Sequence, residues 1–441
     1  MIEIKGKYCK DLKIFTDNIE ESALSTLYNI ADNRAYDNAK IRVMPDVHQG
    51  VGNSVIGFSC PIDIENGFVS VEAVGCDLGC TVSAYFYNKP IIDENIAEFE
   101  HKIKKVIPFG FEINDKSKVN VKDIIKIFNQ KLRKLYSEHP SFKNYAFEFK
   151  SENDLEAWCK RLNMDYGVFL KSIGSVGGGN HYVEYDVNEE LNKYCVCVHC
   201  GSRNLGQKVF KYWNNIAKSM CISKDEMRML TEMVKSKNTD KKLLSNEIKE
   251  AREEYLKYRI PGFLNGENLH RYLIDVAIAQ AYANINHGVI QSQISDIYKK
   301  MSNGGVVDKM IFTTHNYVDL NDMVLRKGAV RAYEGEELII PFNMRDGISV
   351  CEGKSNNDWN CTAPHGCGRL YSRSKAKDIL NVDDFKKEMS DAGIYTTTAD
   401  KSTLDEAPQA YKPYEEVIKL IEPTANVLFL MKPKMNIKAA E

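Results

Sequence analysis

No run of eighteen consecutive apolar residues occurs anywhere in the 441-residue chain, and the first twenty residues are interrupted throughout by charge. A membrane-spanning helix or an export signal is therefore not expected. There is also no excess of one charge: 61 acidic residues stand against 59 Lys and Arg, so the chain lacks the polybasic signature of a general nucleic-acid binder. Any phosphate-binding surface must be local. Internal repeats and low-complexity linkers are missing as well. The twelve cysteines are too few for a small-domain disulfide framework, and several sit in apolar strand-like runs such as YCVCVHC. The expectation is a reducing, cytoplasmic setting.

What is present is a long mixture of short β-branched runs and amphipathic helical segments. From Ile41 to Tyr87, stretches such as RVMPDVHQGVGNSVIGFSC and FVSVEAVGCDLGCTVSAYFY read as strands ending in glycine-rich turns. Residues 91–172 turn helical, strands return at HYVEYDV and KYCVCVHC, and a charged stretch over 219–257 predicts a solvated helical insertion. Strands and helices do not alternate regularly, which predicts a single large α+β domain over 1–441, with mixed sheets and surrounding helices.

Histidine is scarce, with nine residues, and five of them fall in turn-like contexts: PDVHQG, GGNHYVE, VHCGSR, TTHNY and PHGCGR. A lone imidazole in a loop carries little information, but these five accompany a second feature. In GCDLGC, Asp77 and Cys80 are separated by a Leu-Gly turn that brings a carboxylate and a thiolate together. With His181 and His199, which end or follow strand-like runs, they offer O, S and N donors, and one Asp, one Cys and three His would hold a pair of metals if the thiolate bridges them. Donor softness makes zinc the default, and donor type does not separate zinc from manganese.

The glycines Gly177 to Gly179 bring backbone close to an anion, with Asn180 and Glu184 following as polar groups able to read a base or ribose. Ser202 and Arg203 in HCGSRNLGQK, and Arg326, Lys327 and Arg331 in RKGAVR, are further phosphate candidates. In TAPHGCGRLYSRSKAK, a helix beginning near Arg369 would align Arg369, Arg373 and Lys377 on one face beside His365. That histidine is open to three roles: general base, metal ligand or nucleophile attacking phosphorus.

The motifs PDVHQGVG, VGCDLGC, GGGNHYVE, HCGSRNLG, HNY, RKGAVRA, HGCGR-LYSRSKAK, EAPQAYK and PKMNIK follow one another from Pro45 to Lys438. In this order they resemble the RtcB family of RNA ligases. The resemblance implies joining of RNA 2′,3′-cyclic phosphate or 3′-phosphate ends to 5′-hydroxyl ends, in RNA repair or tRNA splicing, with GTP as cosubstrate and two manganese ions. It implies that Cys80 bridges the ions, with His199 and His315 on one and Asp77 and His181 on the other, and that His48 stays outside. It also implies that His365 takes the guanylate, that Asn180, Glu184, Asn343, Tyr411 and Lys438 contact the nucleotide, and that Arg203, Arg369 and Arg373 hold RNA phosphates. PFNMRDG at 341–347, where relatives read close to PGSMG, and PHGCGR in place of CHGAGR mark a divergent branch. Two other classes compete: a metal-dependent phosphoesterase that opens cyclic phosphates without sealing, and a non-enzymatic RNA end-binding protein. Only ligation requires a nucleophilic imidazole at His365.

Overall fold

The structure is a computed structural model that describes residues 1–220, 224–237, 244–256 and 260–439. Its organising element is a twelve-stranded sheet. Across the sheet the strands run in the order Ile2–Ile4, Asp11–Ile14, Lys40–Gln49, Val55–Pro61, Val324–Lys327, Val307–Asp319, Cys80–Tyr87, Lys193–Cys200, Tyr182–Asn188, Ala425–Lys438, Ile348–Gly353 and Glu337–Pro341. Neighbours pair antiparallel except Asp11–Ile14 with Lys40–Gln49, which are parallel. This is the mixed α+β class that the irregular alternation of elements predicts.

The helical stretch over 91–172 resolves into Ile96–Val106, Val121–Glu138, Glu152–Arg161 and Tyr166–Lys171. Ser151 and Asp154 form a reciprocal capping box that starts the third of these. The charged stretch contains the helices Lys224–Lys237 and Leu244–Leu256, while 221–223, 238–243 and 257–259 lie outside the described residues.

One 36-residue helix, Gly266–Met301, lies behind the central strands and is buried on nearly every side. Its apolar residues join two core clusters, Leu269 to Ile285 in one and Ile290 to Met301 in the other. Its polar residues pin strand backbone in place. His287 bonds Ser83 Oγ at 2.9 Å and the Cys200 carbonyl at 2.8 Å, and Asn286 Oδ1 accepts from Gly174 N at 2.7 Å. These contacts fix the ends of the strands that carry Cys80 and His199.

Asp275 on the same helix accepts from Trp158 Nε1 at 2.9 Å, Trp213 Nε1 at 2.7 Å and Arg161 at 2.7 Å. One buried carboxylate thus ties three helices together. Asp275→Ala would leave two indole N–H groups and a guanidinium without their acceptor, and is expected to cost about 3–5 kcal/mol of stability. Thermal and urea unfolding of the variant checks this.

No helix among the described residues is long and apolar enough to cross a membrane.

Candidate functional site

The central strands end at one place. Cys80 opens its strand, His199 is the penultimate residue of Lys193–Cys200, and His181 immediately precedes Tyr182–Asn188. His315 lies at a register shift between Thr314 and Asn316, where the Val307–Asp319 strand pairs with Cys80–Tyr87. A bulge of this kind re-aims a side chain, and here it turns the imidazole toward Cys80 and His199. Asp77 reaches the same point through the turn closed by Cys80 N–H on the Asp77 carbonyl at 3.1 Å, with Gly79 at φ +71°. His48 and His315 lie within strands, although PDVHQG and TTHNY read as turn-like contexts. Pro45 is accommodated because pairing of Lys40–Gln49 is irregular between Val43 and His48.

The five predicted donors converge. Cys80 Sγ lies 3.1 Å from His199 Nε2 and 3.3 Å from His181 Nε2. Asp77 Oδ2 is 3.0 Å from His181 Nε2, and His199 Nε2 is 3.0 Å from His315 Nε2. His199 donates Nδ1–H to the Asn180 carbonyl at 2.9 Å, which leaves its Nε2 lone pair facing the other donors. Burial, with repulsion from neighbouring imidazoles, holds His199 and His315 well below the usual histidine range. Burial pushes the Cys80 thiol well up, and the adjacent Asp77 carboxylate adds to it. Burial alone would raise Asp77, but the His181 imidazole outweighs it and brings the carboxyl down to about 2. The imidazoles of His181, His199 and His315, a carboxylate and a thiol facing one another are a donor set that a divalent cation satisfies, since a coordinating cation deprotonates the thiol.

The glycines here make room. A Cβ on Gly177 would stand 2.2 Å from His181 Nδ1 and 2.7 Å from Arg203 Nη1. Gly177→Ala is therefore expected to displace the His181 imidazole and weaken divalent-cation binding at this cluster by about 10–100-fold. Titration followed by the electron paramagnetic resonance of free Mn²⁺ checks this, with unchanged unfolding showing that the fold survives.

His365 follows the short strand Thr362–Pro364 and sits beside the donors, its ring centroid 5.0 Å from that of His315. Its Nδ1–H donates to Asp46 Oδ2 at 2.7 Å, and its backbone N–H donates to the same oxygen at 3.2 Å. Asp46 is fully buried. Gly368, at φ +74°, lets the loop pass where a Cβ would lie 2.4 Å from the Asp46 carbonyl oxygen. The result is an imidazole with Nδ1 committed and Nε2 free. Asp46 is the first functional residue that sequence reasoning missed, although it stands inside PDVHQG. His48 bonds the Asp46 carbonyl at 2.9 Å through Nδ1 and is outside the donor cluster.

Asp77, His199, His315 and His365 line a cleft of about 910 Å³, whose walls also include Asn180, Glu184, Asn343, Arg369, Arg373, Tyr411 and Lys438. That size suits a nucleotide. Glu184 accepts from Asn436 Nδ2, and burial raises its carboxyl. Lys438 Nζ pairs with Glu406 at 3.0 Å, and Tyr411 donates its O–H to the same carboxylate at 2.5 Å. In the altered loop, Phe342 is buried and stacks on Tyr414 with centroids 4.7 Å apart. Arg345 and Asp346 pair with each other, and Asn343 donates to Asp346 at 2.7 Å. The extra aromatic ring and charges of PFNMRDG are thus absorbed within the loop and its neighbours.

The cationic row differs from its expected form. The helix runs Arg373–Ile379, capped by Ser372, so Arg369 precedes it and instead forms a bridge with Tyr411. Helical start is set by the Ser372 hydroxyl accepting from Lys375 N–H, a cap signal that outweighs the four-residue charge spacing. All three cations still meet, on acids that sequence reasoning did not assign a role. Arg369 reaches Glu406 at 3.3 Å, Arg373 reaches Glu406 at 2.7 Å and Asp405 at 2.8 Å, and Lys377 reaches Asp405 at 3.2 Å.

Burial opposes ionisation of Glu406, but Lys438, Arg373 and Arg369 hold its carboxyl far below the usual range. A depressed carboxyl stabilises the fold above its unfolded value, about 4.3, and loses that contribution as pH falls toward the folded one. Glu406→Gln is therefore expected to lose about 3–5 kcal/mol at neutral pH and to flatten the acid limb of stability below about pH 4. Urea unfolding across pH 2 to 7 reads both effects.

Other phosphate candidates are committed elsewhere. Arg326 is buried on Asp322 at 2.8 Å and Asp319 at 3.4 Å, and Arg331 pairs with Glu336 and Asp319. Lys327 lines the cleft and donates to Ser54 Oγ at 2.8 Å. Ser202 donates to the Leu78 carbonyl at 2.6 Å. Arg203 bonds Ser175 Oγ at 3.1 Å and the Gly110 carbonyl at 2.6 Å, so it does not line the cleft although its guanidinium stands close to His181.

Residues 27–439 match the family described as tRNA-splicing ligase RtcB. The chain is 26% identical over 418 residues to the RNA-splicing ligase RtcB of Escherichia coli, covering 90% of each chain. It is 24% identical over 439 residues to the tRNA-splicing ligase RtcB of Aeropyrum pernix, covering 86% of this chain and 83% of that one. With the tRNA-splicing ligase RtcB of Methanococcus maripaludis it shares 22% over 470 residues, 98% of this chain and 94% of that one. A match spanning both the donor strands and the His365 loop agrees with the site assembled from them, and the chain belongs to the RtcB family.

Proposed function

We propose that this protein joins RNA 2′,3′-cyclic phosphate or 3′-phosphate ends to 5′-hydroxyl ends, using GTP and two manganese ions, as a repair or splicing ligase. The observation that carries this reading is His365, with its Nδ1 held by buried Asp46 and its Nε2 left free beside the donor cluster. Neither a phosphoesterase nor an end-binding protein requires a nucleophilic imidazole at this place.

Cys80 would bridge the two ions, with His199 and His315 holding one and Asp77 and His181 the other. The short donor contacts support this partition, since His199 pairs with His315 and His181 with Asp77 on either side of the thiol. When bound, the cations supply charge neutralisation at phosphate oxygens.

His365 Nε2 attacks the α-phosphorus of GTP, forming a P–N bond as the P–O bond to pyrophosphate breaks. The Nδ1 proton stays on the ring, and the Asp46 carboxylate stabilises the resulting positive charge. An oxygen of the RNA 3′-phosphate, reached from a cyclic end by addition of water, then attacks the guanylate phosphorus. The P–N bond breaks and returns the pair to Nε2. Finally the 5′-hydroxyl oxygen attacks the activated 3′-phosphorus, GMP leaves, and the hydroxyl proton passes to solvent.

Glu184 pairs with the N1 and N2 donors of guanine and Lys438 with its acceptor edge, which disfavours adenine. Asn180, Asn343 and Tyr411 complete the nucleotide contacts. Arg369 and Arg373, already neutralised in part by Glu406 and Asp405, hold RNA phosphates, with Arg203 as the contact nearest His181.

The test is a joining assay with two RNA fragments, one ending in a 2′,3′-cyclic phosphate and the other starting with a 5′-hydroxyl, incubated with GTP and manganese. A joined product that depends on both additions is expected. Ring opening without joining would replace this reading with the phosphoesterase, and end binding without either reaction would replace it with the binding protein.

A further inference from the structure

Beyond the site already described, the same sheet face carries a second set of soft and hard donors. Glu184 pairs directly with Cys197, and Asp186 with Cys195, on alternate rungs of the Tyr182–Asn188 and Lys193–Cys200 ladder, with Tyr185–Val196 between them. Directly paired side chains on one face lie about 5 Å apart at Cβ, and the ligating atoms of Asp186, Cys195 and Cys197 all lie within 4.8 Å of one another. Asp186, Cys195 and Cys197 are completely buried. Their surroundings are apolar, built from Val82, Phe86, Ile339 and Val350.

Asp186 Oδ1 has no hydrogen-bond partner, and Asp186 makes no ion pair among the described residues. Its other oxygen, Oδ2, lies 4.0 Å from Cys195 Sγ. Cys195 Sγ and Cys197 Sγ are 3.8 Å apart. Two thiolates on a tetrahedral zinc, each at about 2.3 Å, place their sulfurs about 3.8 Å from each other. The same two residues fit a disulfide poorly: two positions apart on one strand, their Cα atoms are separated by roughly 6.6 Å, near the upper limit for that bond.

We propose that Asp186, Cys195 and Cys197 form a structural site for zinc or a similarly soft divalent cation, separate from the Cys80 centre. On binding, the two thiols release their protons to solvent, and the cation satisfies an otherwise unpaired buried carboxylate. Two rungs beyond Cys197, His199 belongs to the Cys80 centre, so the structural cation stiffens the strand that presents it.

The experiment uses full-length protein carrying Cys80→Ala, which removes the only thiol of the first centre. Zinc is measured by plasma mass spectrometry after purification without added metal, and the reduced, stripped protein is titrated with Co²⁺. The expected result is about one tightly held zinc per chain and a thiolate-to-cobalt charge-transfer band with tetrahedral d–d absorption. Both are expected to vanish when Cys195→Ala and Cys197→Ala are added. Absence of zinc and of the cobalt band in the Cys80→Ala protein would overturn the proposal without any change in the core. So would an intact mass lighter by two hydrogens that maps to a Cys195–Cys197 disulfide.

Discussion

His365→Ala is expected to abolish both attachment of guanylate to the protein and joining of RNA, while leaving manganese binding and thermal stability close to those of the unchanged protein. The side chain is only part of one wall of the cleft, and the five donors are held by other elements: three strand ends, a bulge and the Asp77 turn. Deleting the ring therefore removes the nucleophile without removing a ligand. In a covalent mechanism such a deletion leaves no alternative route, so the expected loss is complete within assay sensitivity. A variant that still joined RNA at a tenth of the original rate would show that His365 is not the attacking group. Supplying RNA that already carries the activated 3′-end should restore joining to His365→Ala, because the final displacement does not use the imidazole.

Asp46→Asn is expected to lower the rate of guanylate attachment by about 10²–10⁴-fold, with a smaller effect on GTP binding. The Asp46 carboxylate accepts from His365 Nδ1–H and the His365 backbone N–H, and is the only charged group bonded to that ring among the described residues. An amide cannot stabilise the ring cation that appears as the P–N bond forms. If the amide turns its NH₂ group toward Nδ1, the ring proton moves to Nε2 and the nucleophilic lone pair is lost. Single-turnover kinetics with labelled GTP separate this from a packing defect, since misfolding would change substrate binding and attachment together. The phosphate-transfer steps after attachment should be affected less.

Much of this site is legible in the sequence because its donors are rare residue types. Nine histidines among 441 residues make a group of them beside GCDLGC conspicuous, and the structure brings Asp77, Cys80, His181, His199 and His315 to one point. Strand ends are readable from β-branched runs stopped by glycine. Residues that act through common side-chain types were harder to see. Asp46 resembles a turn aspartate after proline, yet an irregular strand carries it inward to His365, 319 positions away. Glu406 and Asp405 resemble surface acids, and only the fold reveals that they gather Arg369, Arg373, Lys377 and Lys438. The converse holds for Arg326 and Arg331, whose acids lie within twelve residues of them; Arg326 is buried and Arg331 half-buried, which no spacing rule announces. Likewise, a regular row of charges suggested a helix from Arg369, whereas one serine hydroxyl moves its start to Arg373.

The central claim is that His365 Nε2 becomes covalently bonded to guanylate. Incubating the protein with α-³²P-labelled GTP and manganese, then quenching and dividing the sample between acid and alkali, tests it most directly. The prediction is a labelled protein whose label is lost in acid, survives alkali, and maps to the peptide containing His365. Failure of the protein to acquire any label, or a stable label that maps to a lysine, would contradict it.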